Sequence, residues 1–228
     1  MKPRIIAHRG ASGHATENSL AAFREAIRLG ADGIELDVQV ARTGELIVHH
    51  DPVLPGRGTL GDLDLATIRS SPLPNGEPIP TLEEALEAIR PAPPNRRLEV
   101  WIELKVLPSP ADRRLLDTID RAPCAGSCAV HSFDHRIIAR LGSLRPSLRR
   151  GILSASYPID PVTPMNAAGG SALWQEWRLI DAALVDRVHE AGGEVIAWTV
   201  NHREVAEQLA RLGVDALCGN WPERLKLG

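Results

Sequence analysis

Arg4-Ile5-Ile6-Ala7-His8-Arg9-Gly10-Ala11-Ser12-Gly13 runs from a short apolar stretch into a glycine-containing turn, and the reading of that turn decides the fold. A doubly wound nucleotide-binding sheet would put its phosphate-binding glycines directly after the first strand. Here a His and an Arg stand at those positions. Further apolar runs at residues 33–37, 98–105, 127–131, 149–153, 171–175, 194–199 and 215–218 make eight strands with the first at 4–8. Amphipathic stretches at 19–29, 81–90, 111–121, 134–142, 180–191 and 202–212 read as the helices between them. Regular alternation of this kind predicts a parallel sheet, and eight repeats in 228 residues, about 28 per unit, predict an α/β fold of the (β/α)8 TIM-barrel type in a single domain over 1–228. Helix ends agree: Thr81 with Glu84 forms a capping box, and Gly30, Gly192 and Gly213 fall where helices terminate.

Composition narrows the function classes. With 26 basic and 29 acidic residues and a net charge of -3, the chain lacks the basic stripe of a nucleic-acid binder. Cys124, Cys128 and Cys218 are odd in number and show no Cys-x-x-Cys spacing, so they read as reduced thiols without a zinc site. The N-terminus has too few apolar residues before His8 for a secretory core, and no window approaches the roughly 18 apolar residues of a membrane span. A cytoplasmic protein with no stable membrane anchor is expected.

Residues 45–50 form a strand only a few residues after the run from Gly33 to Val40, too close for a parallel crossover, so they must return antiparallel as a β-hairpin extension over 38–50. A two-residue turn at Thr43-Gly44 would set Arg42 opposite Glu45 and Asp37 opposite His50. That register groups Glu35, Asp37 and His50 on one face and turns His49 away. A three-residue loop would exchange the two histidines. The Pro- and Gly-rich stretches from Pro52 to Pro80 and from Tyr157 to Gly170 read as long connections of the kind that carry binding loops.

Four groups of chemically capable residues end predicted strands, the place where a barrel collects its catalytic side chains. His8-Arg9-Gly10 offers a proton shuttle beside a guanidinium suited to phosphate oxygens. Glu17-Asn18 follows closely; Asn18 reads chiefly as a helix cap. Glu35-Leu36-Asp37 puts two carboxylates on one strand face, which is either wet or closed around a hard divalent cation such as Mg2+ or Ca2+. Glu103 and Lys105 alternate onto one face of the most strand-like run; Glu103 would complete a three-carboxylate metal site with Lys105 facing a phosphate, or the two would pair with each other. Phe133, after His131-Ser132, and Trp198, before Thr199-Val200-Asn201, are candidate substrate contacts, although isolated aromatics, Trp174, Trp177 and Trp221 included, read as core. An indole also attracts a quaternary ammonium such as choline. No Gly-x-Ser-x-Gly elbow is present.

In order, His8-Arg9-Gly10, Thr16-Glu17-Asn18-Ser19, Glu35-Leu36-Asp37-Val38, His49-His50-Asp51-Pro52, Ile102-Glu103-Leu104-Lys105, His131-Ser132-Phe133, Trp198-Thr199-Val200-Asn201, Gly213-Val214-Asp215 and Asn220-Trp221-Pro222 resemble the glycerophosphodiester phosphodiesterase family of phospholipase-C-like barrels, over essentially the whole chain. The resemblance implies hydrolysis of a glycerophosphodiester to sn-glycerol 3-phosphate and an alcohol. It implies a divalent metal (Mg2+ or Ca2+, with Mn2+ possible in their place) on Glu35, Asp37 and Glu103, acid–base work by His8 and His50, and phosphate held by Arg9 and Lys105. The attacking oxygen would belong to water or to the neighbouring glycerol hydroxyl. Ala15-Thr16 stands where the family has a proline, Val53 to Gly58 lacks the usual Asp-Arg run, and the span from Asp51 to Leu98 leaves room only for a reduced insertion, which could open the mouth to bulky or lipid-like alcohols. Two rivals follow. A lysophospholipase-D-like activity would need an acyl groove, for which only Leu60 to Ile68 and Leu173 to Trp177 are candidates; a non-catalytic phosphate-binding barrel should have lost a carboxylate or a histidine, and none is missing.

Overall fold

The computed structural model describes residues 2–89 and 98–227. Its strands are β1 (Arg4–Ala7), β2 (Gly33–Val40), β3 (Leu46–Val48), the two-residue β4 (Val53–Leu54) and β5 (Gly58–Thr59), β6 (Glu99–Leu104), β7 (Cys128–Ser132), β8 (Arg149–Ser154), β9 (Ala172–Glu176), β10 (Glu194–Trp198) and β11 (Ala216–Gly219). Strands β1, β2 and β6 to β11 pair in parallel, each with the next, and β11 returns to β1, so the sheet closes as an eight-stranded barrel. Helices α1 (Leu20–Arg28), α2 (Leu65–Arg69), α3 (Leu82–Ala88), α4 (Asp112–Arg121), α5 (His135–Leu144), α6 (Val162–Ala167), α7 (Ala182–Glu190) and α8 (Arg203–Leu212) lie in the connections. The TIM barrel read from the sequence is the fold. Each predicted strand and helix has its counterpart, except that Arg90, the last residue of the helix expected at 81–90, lies outside the described residues. Helices α2 and α6 were not expected; both are short and sit in the stretches read as loops, α6 with Pro164 inside its first turn.

Side-chain alternation sorts the barrel strands into two apolar regions. Outward residues such as Ile34, Leu36, Val100, Ile102, Val130 and Leu173 pack beneath the helices in the main core. Inward residues fill the barrel in layers of four drawn from alternate strands, as closed (β/α)8 barrels require. The strand registers stack Arg4, Glu99, Arg149 and Glu194 at the N-terminal end, then Gly33, Ala129, Ala172 and Ala216, then Ile6, Trp101, Gly151 and Ile196. Above these come Glu35, His131, Trp174 and Cys218, then His8, Glu103, Leu153 and Trp198. Small residues in the second layer make room for Trp101 in the third. Gly151 makes room for Trp174: a Cβ there would stand 3.0 Å from the indole.

The hairpin register differs from expectation by one residue. Val38 pairs with Val48, Gln39 with Ile47 and Val40 with Leu46, which leaves a three-residue loop, Arg42-Thr43-Gly44, with Gly44 at φ 91°. A type I turn closed by a left-handed residue is the usual solution for such a loop, and Gly44 supplies that residue without steric cost. The segment from Pro52 to Pro80 is a small annex whose Leu54, Leu60, Ile68, Leu73 and Ile79 pack with Ala41 and Ile47 of the hairpin. Of the two segments considered for an acyl groove, Leu60, Ile68 and Leu173 are buried. Among the described residues no helix is long and apolar enough to cross a membrane.

Candidate active site

Every candidate comes from the C-terminal ends of barrel strands or the loops beyond them. Beyond β1 the chain turns sharply, with Arg9 at φ 55° and Gly10 at φ 77°. A Cβ on Gly10 would lie 2.7 Å from the backbone of Ala22, so glycine there lets the turn press against α1. The turn aims the Arg9 amide at Glu35 Oε2 (2.9 Å) and sets Arg9 Nε 3.1 Å from Asp37 Oδ2, while its Nη1 donates to Glu17 Oε1 (2.9 Å).

Glu35 and Asp37 are buried rather than wet. With Glu103 across the β2–β6 register, they place three carboxylate oxygens within 4.8 Å of one another. Lys105 Nζ lies 2.5 Å from Glu103 Oε1 and 3.0 Å from Asp37 Oδ1, so Glu103 and Lys105 pair with each other within the carboxylate cluster. Burial, with Asp37 and Glu103 nearby, pushes the Glu35 carboxyl well above its ordinary range. Burial would raise Asp37 too, but Lys105 and Arg9 outweigh it and hold its pKa at about 2. Burial raises Glu103 despite Lys105. Three ionised carboxylates would exceed the two fixed cations by one charge, which is why burial raises Glu35 and Glu103, and Glu35 Oε1 is buried with no donor. Oxygens each 2.3–2.6 Å from one Ca2+ stand at most about 5 Å apart, and Mg2+ draws its ligands closer. Oxygen donors, spacing and the orphaned oxygen thus fit one hard divalent cation.

Asn18 does not cap a helix. It is buried at φ 55°, donates through Nδ2 to Asp37 Oδ2 (2.7 Å) and accepts the Asp37 amide on Oδ1 (3.2 Å). Ser19 is the cap, its Oγ accepting from the Ala22 amide at 3.0 Å.

The histidines face the cluster from two sides. His8 Nδ1 lies 2.8 Å from Asn220 Oδ1, which leaves Nε2 turned to the cluster, 4.0 Å from Glu35 Oε2. Burial and the neighbouring Arg9 lower its pKa to about 4. His50 lines the same cavity even though the observed register extends to set Asp37 opposite His49; the ladder ends at Val48 and the chain turns before His50. Gln39, buried beside Asp37, holds that turn by directing Nε2 at the carbonyls of His49 (3.1 Å), His50 (2.9 Å) and Asp51 (2.7 Å). Asp51 Oδ1 stands 2.7 Å from His50 Nδ1.

The cavity is small, about 110 Å3. The far wall holds His131, Trp174 and Leu153, with Trp198 and Phe133 meeting edge to face at 5.5 Å nearer the mouth. Phe133 is 49% exposed and Trp198 half-buried, so neither is a core residue, whereas Trp174 is. Trp177 and Trp221 are half-buried under Arg178 and Arg224. Sequence reading singled out no role for Gln39 and read Trp174 as core: a strand Gln and a strand Trp carry no signal of a place beside the cavity until the register is known. A larger hollow of about 680 Å3 opens at the other end of the barrel, but its Arg4, Glu99 and Arg149 are engaged with one another.

The family model for the glycerophosphoryl diester phosphodiesterases matches residues 8–224. A glycerophosphodiester phosphodiesterase of Caldanaerobacter subterraneus is 32% identical over 99% of this chain and 97% of its own length, and one of Bacillus altitudinis is 27% identical over 97% and 96%. An Oleispira antarctica phosphodiesterase, solved in complex with the product sn-glycerol-3-phosphate, superposes with a TM-score of 0.88 at 25% identity, covering 98% of this chain and 95% of that one.

Proposed function

This chain belongs to the glycerophosphoryl diester phosphodiesterase family, and from that premise we propose that it hydrolyses glycerophosphodiesters to sn-glycerol 3-phosphate and an alcohol, with a divalent cation on Glu35, Asp37 and Glu103 and with His8 and His50 as base and acid. The observation that carries the division of labour is the different partner of each imidazole. His8 Nδ1 faces an amide oxygen, Asn220 Oδ1, so it bears the proton and Nε2 is left as an acceptor toward the carboxylates. His50 Nδ1 faces the Asp51 carboxylate, an acceptor that orients the ring and leaves Nε2 free to pass a proton to the leaving group. His8 therefore takes the proton of the attacking hydroxyl and His50 protonates the leaving alkoxide; where the neighbouring glycerol hydroxyl attacks in place of water, the first product is a cyclic phosphate, which water then opens to glycerol 3-phosphate.

Arg9 and Lys105 keep donors to spare after their ion pairs, since a guanidinium carries five N–H groups and an ammonium three, and these serve the phosphoryl oxygens. When bound, the cation would add charge stabilisation to the same oxygens. The test is release of glycerol 3-phosphate from a panel of glycerophosphodiesters by protein stripped with chelator and refilled with Mg2+, Ca2+ or Mn2+. Activity should return with metal and fall roughly 10^2- to 10^4-fold in His8→Ala and His50→Ala. No turnover with any metal, or full turnover by either variant, defeats the reading.

A further inference from the structure

Three thiols take no part in the proposed chemistry, and two of them stand together. Cys124 and Cys128 bracket a single 3-10 turn, Ala125–Ser127, at the foot of β7. Both are free thiols, and their Sγ atoms are 3.8 Å apart. The turn creates the contact: the Ser127 amide donates to Cys124 O (2.8 Å) and folds the chain back on itself. A structural zinc takes four N or S ligands, and among the described residues the one group of three or more ligating side chains is the carboxylate cluster. Two sulfurs in contact without further ligands leave thiol–disulfide chemistry.

The same turn opens on the hollow of about 680 Å3 at the N-terminal end of the barrel, which Ala125, Gly126, Ser127 and Cys128 help to line. Cys124 and Cys128 keep 4% and 6% exposure, whereas Cys218, inside the barrel, has none. The guanidiniums of the hollow are matched by carboxylates, Arg4 and Arg149 by Glu99 and Arg145 by Asp120. The hollow therefore has no excess positive charge to draw an anionic disulfide, and a small neutral peroxide suits it better.

We propose that Cys124 and Cys128 are an oxidisable dithiol, which a peroxide converts reversibly to an intramolecular disulfide at the end of the barrel opposite the carboxylate cluster. The inference stands apart from the phosphodiesterase reading. Hydrogen bonding from Cys128 lowers the Cys124 thiol, while the same contact and burial raise Cys128, so Cys124 supplies the thiolate. That thiolate attacks one peroxide oxygen, the O–O bond breaks, and a sulfenic acid and hydroxide form. The Cys128 sulfur then attacks the sulfenic sulfur and displaces its oxygen as water. Two thiols and one hydrogen peroxide give one disulfide and two waters, the sulfurs losing the two electrons that the peroxide gains. The Sγ atoms need close only from 3.8 Å to about 2.05 Å. Cys128 is held in β7 by its pairing with Val100 of β6, so the movement falls to the turn. Its outer side has room to yield, since a Cβ on Gly126 would meet nothing within 4 Å.

The test treats the native protein with hydrogen peroxide, alkylates the remaining thiols with iodoacetamide under denaturing conditions, and weighs the tryptic peptides. Arg121 and Arg136 bracket the pair, so both cysteines fall in one peptide, residues 122–136. Before oxidation that peptide should carry two alkyl groups. Afterwards it should carry none and weigh two hydrogens less than the unalkylated sequence, and dithiothreitol should restore both thiols. Its conversion should run roughly tenfold or more ahead of the loss of the Cys218 thiol. In Cys128→Ser the Cys124 sulfenic acid has no partner, so dimedone should label it about tenfold more than it labels the wild type. Cys128→Ala takes the place of the serine variant where the hydroxyl costs the fold. Both alkyl groups persisting until Cys218 is consumed, a bond from either sulfur to Cys218 or to a second chain, or equal dimedone labelling of wild type and variant overturns the proposal.

Discussion

At the scale of single residues, Asn18 shows how one side chain links backbone conformation to the site. Its left-handed backbone is uncommon outside glycine, and Asn tolerates it better than most residues. In that conformation the amide both donates to the Asp37 carboxylate and accepts the Asp37 backbone amide. Partners that orient a metal ligand typically account for 10- to 100-fold in metal affinity. Asn18→Ala should therefore weaken divalent-metal affinity about 10- to 100-fold, measured by competition with a chelator of known strength; affinity within twofold of wild type would show that Asp37 is held by Lys105 and Arg9 alone. This role was hidden in the sequence for a physical reason. Asn18-Ser19 presents two residues that can each cap a helix, and only the backbone angle at Asn18 reveals that Ser19 does so and frees its neighbour. Glu35 and Asp37 were legible because carboxylates spaced by two on an apolar strand have few ways to be buried without a shared partner, and Glu103 because it alternates with Lys105 onto one face of an apolar strand.

At the scale of elements, the hairpin places His50 by a different route from the one its spacing suggests. A two-residue turn would have carried His50 onto the Asp37 face through the ladder alone; the three-residue loop with Gly44 shifts the register by one, and continued pairing would deliver His49 instead. Turn length is poorly determined by sequence when Thr43-Gly44 suits either loop. What restores His50 is Gln39, whose single buried NH2 group gathers three successive carbonyls and bends the chain past the end of β3. Gln39→Met keeps the volume but not the donors. It should lower kcat tenfold or more while changing KM and metal affinity less than threefold, because substrate and metal ligands stay while the proposed acid drifts. Steady-state kinetics with the chelator competition separates that outcome from a general loss of fold, which would move all three. The missed helices, α2 and α6, share the limitation, as do the two-residue β4 and β5: segments of two to six residues carry too little periodicity to register.

At the scale of the whole molecule, the barrel interior divides stability from chemistry along its axis. The strand count and the absence of a glycine fingerprint were enough to choose the barrel, but the bottom layer needed the register, since Arg4, Glu99, Arg149 and Glu194 are 45 or more residues apart along the chain. There they alternate in sign around the barrel: Arg4 and Arg149 each pair with both Glu99 and Glu194, the Arg149–Glu99 contact being 3.1 Å. Trp101 donates to Glu99 at 3.0 Å and takes the Arg149 guanidinium over its ring at 4.7 Å, so the charged layer is tied to the apolar one above. Burial raises the Glu99 carboxyl, but Arg149 and Arg4 outweigh it, and its folded pKa lies below the ordinary 4.5. A depressed folded value means that this contribution is fully present above the unfolded pKa and is lost as pH falls through the folded one. Glu99→Gln should therefore cost about 2 kcal/mol at pH 7, in the range of hydrogen bonds to charged groups. That corresponds to a drop of about 4 to 8 °C in Tm for a chain of this size. The gap between variant and wild type should close as pH falls below about 4.5. Three layers of side chains separate Glu99 from His8 and Glu103, so kcat for glycerophosphodiester cleavage should stay within twofold of wild type. Thermal unfolding scanned from pH 7 to pH 3, beside the rate at 25 °C, checks both halves: a Tm gap that persists in acid removes the electrostatic account, and a fall in kcat removes the separation of the two ends.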